Sequence, residues 1–423
     1  MISPSRAARA ARAACAVRAA RPARRQRRAP VAVLAAACVV GAALGACTSN
    51  GSDSPSGPTG TAGSAPAGAP TSGAGGGSSA SGVTVTGAPA ELSALVTRLY
   101  AGSDLGGSAS RSAAAALKTR TAGPATVAAT ASVGSWMGTP VAVVTAADDV
   151  TLAVGPTWRV VGGWWPSLGV SQPSLGAGGP RWVLAIGSDA RKGQPLERTR
   201  ADVLQVVGVD GRGGGGVMGL ARDLWVPLST GGKGKINAAM VFGGPQAQVA
   251  TVKAVTGLPL EGYVVLGFSG FKKIVDDQGG LPIVIPKTVV ASHAKNLVIK
   301  AGPQTLSGAE ALAYARERKT LPDGDFGRSR HQGEVILAAA VKAKLAGPAA
   351  IPSALTSFSE VGRSNLSAEQ ILTFTAGLHT LSPLQVGRGV AKGSFGTAAG
   401  QSIVVLGAES RALFASFRDG NLP

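Results

Sequence analysis

The chain is 423 residues long, 45% hydrophobic and 15% charged, with 41 basic and 22 acidic side chains and a formal net charge of +19. Nine arginines and no acid fall within the first 46 residues, so 19 − 9 leaves +10 for residues 47–423. Cys15 and Cys38 lie in that basic leader and Cys47 stands alone beyond it, which excludes an internal disulfide framework once the leader is removed.

The leader reads as an export signal. Its arginines precede an uncharged apolar run of 16 residues, 31–46, where a spanning helix needs about 20. A basic segment, an apolar segment and small residues ahead of a cleavage point are the parts of a secretory signal. Leu44-Gly45-Ala46-Cys47 resembles the bacterial lipobox, in which the cysteine becomes the lipidated first residue; an uncleaved signal anchor is the other reading. The expected location is the outer face of the cytoplasmic membrane, with a lipid on Cys47 as the anchor. A basic protein there meets anionic lipids, phosphodiester polymers and lipid pyrophosphates rather than nucleic acid.

Residues 47–82 are almost wholly Gly, Ser, Pro, Thr and Ala. With no apolar surface to bury, they are expected to form a disordered tether that lets the body reach away from the membrane. Residues 83–172 read as a small β-rich accessory region. Leu92, Leu95, Val96 and Leu99 have helical spacing, and residues 139–154 read as two strands around a turn at Asp148 and Asp149. Trp158, Trp164 and Trp165 form a core stripe, with sugar binding as the alternative.

Over residues 181–420 strands alternate with helices. RWVLAIGS, ADVLQVVGVD and GVMGLARD are strands. The glycine-rich connection between the last two leads into a strand rather than a helix, so it is a hairpin and not a phosphate loop. GYVVLGF and LPIVIP add strands around a helix, and SGAEALAYARER and RSRHQGEVILAAAVKAKL are helices. The alternation predicts an α/β fold, a layered α/β/α domain with a central mixed sheet, long enough to bury a real core.

The window YARERKTLPDGDFGRSRHQGEVI gathers Arg316, Arg318, Arg328 and Arg330 with Asp323 and Asp325. Ser307 and Glu310 have capping-box spacing, so a helix starts near Gly308 and carries Arg316 and Arg318 at its end. A turn at Pro322 and Gly324 leads to the next helix, where Arg328 and Gln332 share a face and Arg330 points about 200° away from Arg328. Guanidinium forks from one helix end and the next helix start make an anion clamp suited to phosphate, reinforced by the second helix's N-terminus. A solvated charged face is the plain alternative. Asp189 and Asp202 stand at neighbouring strand ends, where two acids can share a hard cation. Magnesium takes one or two carboxylates and completes its shell with water and substrate phosphate.

GSDAR, RTRADV, ARD, KINAAMVFGG, LSGAEALAYARERK and DFGRSRHQ stand in an order and spacing that resemble the LytR-CpsA-Psr family through residues 181–345. The resemblance implies an extracytoplasmic phosphotransferase of cell-wall biogenesis. Such an enzyme moves a glycopolymer from a polyprenyl-pyrophosphate carrier to a peptidoglycan hydroxyl, leaving a phosphodiester. It implies that Asp189 and Asp202 bind magnesium and that Arg222, Arg316, Arg318, Arg328 and Gln332 hold the pyrophosphate, with Arg222 also acting in catalysis. Asp325 falls on an acid of the family motif and is the candidate base, with helix capping as its other role. Phe268, Phe271 and Val275 either line an apolar groove for the carrier or belong to the core. The chain departs from the family at Ala221, often Pro, at His331-Gln332-Gly333, commonly Arg-Gln-Gln, and in its lipobox, where most members have a transmembrane anchor. Two rival readings are a non-catalytic binder of polyprenyl-pyrophosphate lipids and a DNA-binding regulator. The export signal argues against the second.

Overall fold

The computed structural model describes residues 82–422, apart from 177, 192, 383 and 384. The export signal, Cys47 and all but the last residue of the tether lie outside the described residues.

Strands β1 (Gly82–Thr86), β2 (Thr126–Trp136), β3 (Thr139–Ala146), β4 (Asp149–Val154), β5 (Arg159–Trp165) and β6 (Val170–Ser174) form a sheet in sequence order. The β1–β2 pair is parallel and the others are antiparallel. Side chains alternate across it, as the two-residue strand period requires. Ala142 and Val144 of β3 pack under helices α1 (Ala90–Tyr100) and α2 (Arg111–Leu117), while Val141 and Val143 face the opposite way. Trp158 and Trp165 are buried in the α1–α2 core, which settles them as core side chains.

Strands β7 (Arg181–Ser188), β8 (Ala201–Val209) and β9 (Gly215–Leu220) follow, then the ribbon β10 (Trp225–Pro227) with β11 (Lys233–Lys235), and β12 (Gly262–Gly267). Next come β13 (Leu281–Ile285), β14 (Val289–Ala291), β15 (Leu297–Ile299), β16 (Gly302–Leu306) and β17 (Gly362–Ser364). β18 (Val386–Ala391), β19 (Gly393–Ala398) and β20 (Gln401–Leu406) complete the set. The central sheet has the order β17-β12-β7-β8-β9-β18. Its β12–β7 and β9–β18 pairs are parallel and the rest antiparallel, so it is the mixed sheet expected. The glycine-rich β8–β9 connection is a hairpin, with Asp210 accepting from the backbone N–H groups of Arg212 and Gly214 at 2.7 and 2.8 Å.

Helices α3 (Ala239–Thr256) and α9 (Ala408–Ser416) cover one face, where Trp182, Leu184 and Ile186 meet Met240, Val252 and Phe414. On the other face, Val183, Ala185 and Val207 meet α6 (Asp325–Ala346), α7 (Ile351–Val361) and α8 (Ala368–Thr380) through Leu337, Leu355 and Ile371. The same core continues into Val141, Val143 and Leu152 of the first sheet, which therefore stacks outside α7 and α8. Trp136 Nε1 donates to the Leu366 carbonyl at 2.8 Å, and Arg159 pairs with Glu369 at 2.7 Å across that seam. Helix α5 (Gly308–Arg316) lies between α4 (Phe268–Asp277) and α6, packing against both. Among the described residues no single helix is long and apolar enough to cross a membrane.

One glycine lets α6 approach the sheet. A Cβ on Gly219 of β9 would sit 2.2 Å from Ser329 Oγ, and Gln205 Nε2 of β8 donates to the Ser329 carbonyl at 2.9 Å. The first turns of α6 are thereby seated over the strand ends that carry the candidate site.

Candidate active site

Three chain ends meet above the central sheet. Helix α5 opens on a capping box, with Glu310 N–H donating to Ser307 Oγ at 3.3 Å and Ser307 N–H to Glu310 Oε2 at 2.8 Å. It closes on Arg316, with Arg318 just beyond. Gly324, at φ +54°, turns the chain into α6 in a left-handed conformation that favours glycine. Asp325 is the first residue of α6, and the N-cap carries no side-chain bond, so Asp325 does not cap this helix. The strands add Asp202 at the start of β8 and Arg222 and Asp223 just after β9.

These ends enclose a cleft of about 160 Å³ whose lining includes Asp202, Arg222, Arg316, Arg318, Arg328 and Gln332. Arg222 Nη1 lies 2.6 Å from Asp202 Oδ1, and Arg328 Nη2 lies 2.5 Å from Asp325 Oδ1. Arg316 stacks its guanidinium 4.4 Å over the Phe268 ring. Arg318 is exposed, with Asp223 at 3.8 Å, and Lys235 holds that same aspartate at 2.9 Å. Two arginines are therefore anchored by carboxylates and two present their forks more openly.

Polar satisfaction is poor at this place. Among the described residues seven buried side-chain polar atoms lack a hydrogen-bond partner, and four of them are Arg222 Nε, Arg328 Nε and both carboxylate oxygens of Asp325. The Arg328–Asp325 contact is close in distance but not aligned as a hydrogen bond. Burial pushes the Asp325 carboxyl above its ordinary value, aided by Asp223 and opposed by Arg328, Arg222 and Arg318. Burial likewise lowers Arg328, against the pull of Asp325. Unpaired buried groups are costly, and their concentration marks a place built for a ligand.

The remaining expected residues are distributed as follows. Asp325 sits behind Arg328 and does not line the cleft. Asp189 follows β7, its N–H donating to the Arg200 carbonyl at 3.0 Å, at the β7–β8 corner that also carries Asp202. Gln332 lines the cleft, but its amide nitrogen bridges the carbonyls of Ala315 and Asp202 at 3.3 and 3.4 Å. Arg330 turns outward to pair with Asp323 at 2.7 Å. His331 is buried away from the cleft, its ring stacked on Tyr314 at 4.0 Å and its Nδ1 donating to the Tyr314 carbonyl at 3.2 Å. The His331 departure therefore falls on packing between α5 and α6. No group of three or more His, Cys, Asp or Glu side chains suited to a metal occurs among the described residues. Asp189 and Asp202 are two hard oxygen donors, a set that fits magnesium, with Asp202 shared with Arg222.

Sequence reasoning passed over Glu317 and His293. Glu317 is fully buried between the two exposed arginines, and His293 lines the cleft beside it. A single histidine between two short strands carries no spacing signal, and the acid is hidden inside a basic motif.

An apolar channel of about 180 Å³ opens beside the cleft, walled by β7, β12, α4, α5 and α6. Phe268 and Phe271, both half-buried, line it, and so does Val275, which also packs in a core cluster. Channel and cleft share Val203, Phe268, Arg316 and Gln332.

Residues 169–407 match the model of the LytR_cpsA_psr family. The chain is 36% identical over 161 residues to a Bacillus subtilis protein named polyisoprenyl-teichoic acid–peptidoglycan teichoic acid transferase TagV, a match covering 36% of this chain and 40% of that protein. It is 34% identical over 168 residues to the probable cell wall biosynthesis protein LcpB of Corynebacterium glutamicum, covering 37% and 40%. The match thus spans well under half the length of these curated relatives. The crystal structure of protein gbs0355 from Streptococcus agalactiae shares the fold, with a TM-score of 0.51 at 22% identity over 57% of this chain and 88% of that one. With more than half of its length, residues 169–407, matched by one family model, the chain belongs to the LytR-CpsA-Psr family.

Proposed function

We propose that this protein transfers a glycopolymer from a polyprenyl-pyrophosphate carrier to peptidoglycan through a phosphodiester. The carrying observation is the continuity of an apolar channel with an arginine-lined cleft, joined at Val203, Phe268, Arg316 and Gln332. A polyprenyl pyrophosphate has the same two parts, a hydrocarbon chain and a dianionic head. Arg316 belongs to both spaces, its guanidinium resting on an aromatic ring of the channel, so it stands where the lipid tail would meet the phosphates. The name of the Bacillus subtilis relative supports a teichoic-acid-like polymer class.

In this reading an acceptor hydroxyl attacks the phosphorus that carries the sugar. The new P–O bond forms as the bond to the polyprenyl phosphate breaks, and the hydroxyl proton passes to a base. Catalysis of such a transfer is mainly positioning and charge stabilisation. Arg316 and Arg318 receive the head group, while Arg222 and Arg328, aimed by Asp202 and Asp325, bear on the reacting phosphoryl oxygens. Gln332, its amide spent on backbone carbonyls, fixes the floor between them. Asp189 and Asp202 would hold a magnesium ion, which supplies further neutralisation of phosphate charge. Asp189→Asn is expected to abolish the magnesium dependence of both turnover and pyrophosphate-lipid binding while leaving thermal stability nearly unchanged. Unaltered magnesium titrations in that variant would remove the assignment.

The location belongs to the same proposal: Cys47 is lipidated and holds the body at the outer face of the cytoplasmic membrane. Mass spectrometry of the mature N-terminus checks it, and an unmodified Cys47 overturns it. The function is tested with the purified protein, magnesium, a synthetic polyprenyl-pyrophosphoryl sugar and peptidoglycan. The expected product is sugar joined to peptidoglycan by a phosphodiester, identified by mass. Tight lipid binding without product would instead favour the non-catalytic binder.

A further inference from the structure

Transfer to a hydroxyl needs a proton acceptor that the substrate can reach, and the cleft offers few. Asp325 is 4% exposed, lies against Arg328 and does not line the cleft. Asp202 is committed to Arg222 at 2.6 Å. Glu317 lines the cleft but is fully buried, and its oxygens already accept several hydrogen bonds. The backbone N–H groups of Ser292, Arg318 and Thr320 reach it at 2.6, 2.9 and 3.0 Å, and Ser292 Oγ reaches it at 3.1 Å.

The remaining group is His293, in the turn between β14 and β15. Its Nδ1 lies 3.3 Å from Glu317 Oε2. Burial alone would raise the Glu317 carboxyl, but the hydrogen bonds from Thr320, Ser292 and Arg318 outweigh it and bring the value to about 2. Glu317 is therefore an ionised, acceptor-only carboxylate at neutral pH. Nδ1 of the neutral ring must carry the proton and donate it to that carboxylate, which leaves Nε2 bare. Sequence brings these two residues together only through the fold. The Ser292 N–H and hydroxyl tie the end of β14 to the acid that follows α5, and His293 is the next residue.

Resting on the phosphotransferase reading above, we propose that His293, oriented by Glu317, takes the proton from the acceptor hydroxyl as it attacks the phosphorus. The hydroxyl oxygen forms the new bond to phosphorus, the bond to the polyprenyl phosphate breaks, and the proton moves from that oxygen to Nε2. A carboxylate that fixes the tautomer and turns the opposite nitrogen toward a substrate is the arrangement that makes histidine an effective general base. The charged groups that share the cleft with His293 are Arg316 at the end of α5, Glu317, Arg318 and Lys319 just beyond it, Asp202 and Arg222 from the strand ends, and Arg328 from α6.

The test compares the full-length protein with His293→Gln and His293→Ala, measuring transfer to peptidoglycan and binding of the polyprenyl-pyrophosphoryl sugar separately. His293 lies in an accessible turn, so both variants are expected to fold, and melting temperature verifies it. His293→Gln should lower kcat by about 10²–10⁴-fold, the usual contribution of a general base. Lipid binding should stay within about twofold, since a base adds nothing to ground-state affinity. The intact protein is expected to gain rate with increasing pH, since a general base must be unprotonated to act; that gain should be absent in His293→Gln, and added imidazole should restore turnover to His293→Ala. An unchanged pH profile in His293→Gln, or a turnover loss matched by an equal loss of binding, overturns the base assignment while leaving the phosphotransferase reading in place. No transfer by the intact protein that nonetheless binds the lipid overturns that reading, and the base assignment with it.

Discussion

Two buried aspartates, one at the start of strand β4 and one at the start of helix α6, are built in opposite ways. Asp149, the first residue of β4, is 1% exposed and accepts from the Tyr100 hydroxyl at 2.8 Å, from the Ser167 N–H at 2.9 Å and from the Ser167 hydroxyl. Burial, with Asp149 as the hydrogen-bond partner, pushes the Tyr100 hydroxyl well above its ordinary range. Asp325, 4% exposed, has only the guanidinium of Arg328 against it, and neither oxygen has a hydrogen bond. A buried acid whose two oxygens both accept hydrogen bonds fastens its surroundings. One left half-satisfied beside arginines belongs to a site whose polar groups await a ligand.

The largest expected effect comes from breaking the unsatisfied side. Arg328→Ala strands Asp325 without its counter-charge, and removing one member of a buried pair costs about 3–5 kcal/mol. It also removes a guanidinium from the cleft, a loss of about 1.5–3 kcal/mol for each charge-assisted hydrogen bond to the head group, or tenfold and more in lipid affinity. Denaturant unfolding and lipid binding should both report it. A variant that unfolds like the intact protein and binds as tightly would show that Arg328 is neither a fastener nor a ligand group.

Asp149→Ala probes the satisfied side. It leaves the Tyr100 hydroxyl and the Ser167 N–H without their acceptor, at about 1–3 kcal/mol for each buried donor. The folded fraction should retain intact lipid affinity and turnover, because this acid lies in the accessory sheet. Lost turnover per folded molecule would mean that the first sheet does more than pack against α7 and α8.

How far these features were legible depends on whether they are local. The alternation of strands and helices, the capping box at Ser307 and the glycine hairpin before β9 follow from short-range spacing, and each stands where the sequence put it. The arginine window was visible as composition, and the outward turn of Arg330 follows from helical geometry alone. The pairing of His293 with Glu317 was invisible because they stand 24 positions apart, with two strands and helix α5 between them. The burial of Asp325 was equally hidden, since it depends on the close approach of α6 that Gly219 permits. The accessory region read as a separate piece because its strands are self-contained, yet its inner face shares one core with the helices of the larger domain.

A third test concerns pH. Glu317 resembles Asp149 in being fully satisfied, although it sits in the cleft. Its folded value of about 2 lies below the ordinary 4.5, so the ionised form is the one that folding favours. That contribution is fully present above about pH 4.5 and is lost as pH falls through the folded value. Glu317→Gln places amide hydrogens where backbone donors need acceptors, and should destabilise by about 1.5–3 kcal/mol at pH 7. The gap from the intact protein should narrow between about pH 4.5 and 2 in thermal melts. A constant gap across that window would mean that the carboxylate charge is not what ties β14 to the end of α5.

The smallest effect sharpens the comparison most. Arg330 lies two residues from Arg328 on the same helix, yet it pairs with Asp323 at the surface, with side-chain exposures of 44% and 33%. Exposed pairs contribute at most about 1 kcal/mol because water and salt already screen both charges. Arg330→Ala should therefore shift unfolding by less than about 1 kcal/mol and leave lipid binding within about twofold. If the arginine window of residues 314–336 were only a solvated basic face, Arg328→Ala and Arg330→Ala would weaken binding alike, and both effects would fade together as salt is raised. A specific site requires them to separate. The desolvated Arg328, with its bare Nε and the unsatisfied Asp325 beneath it, should keep its large effect at high ionic strength, while the Arg330 effect disappears.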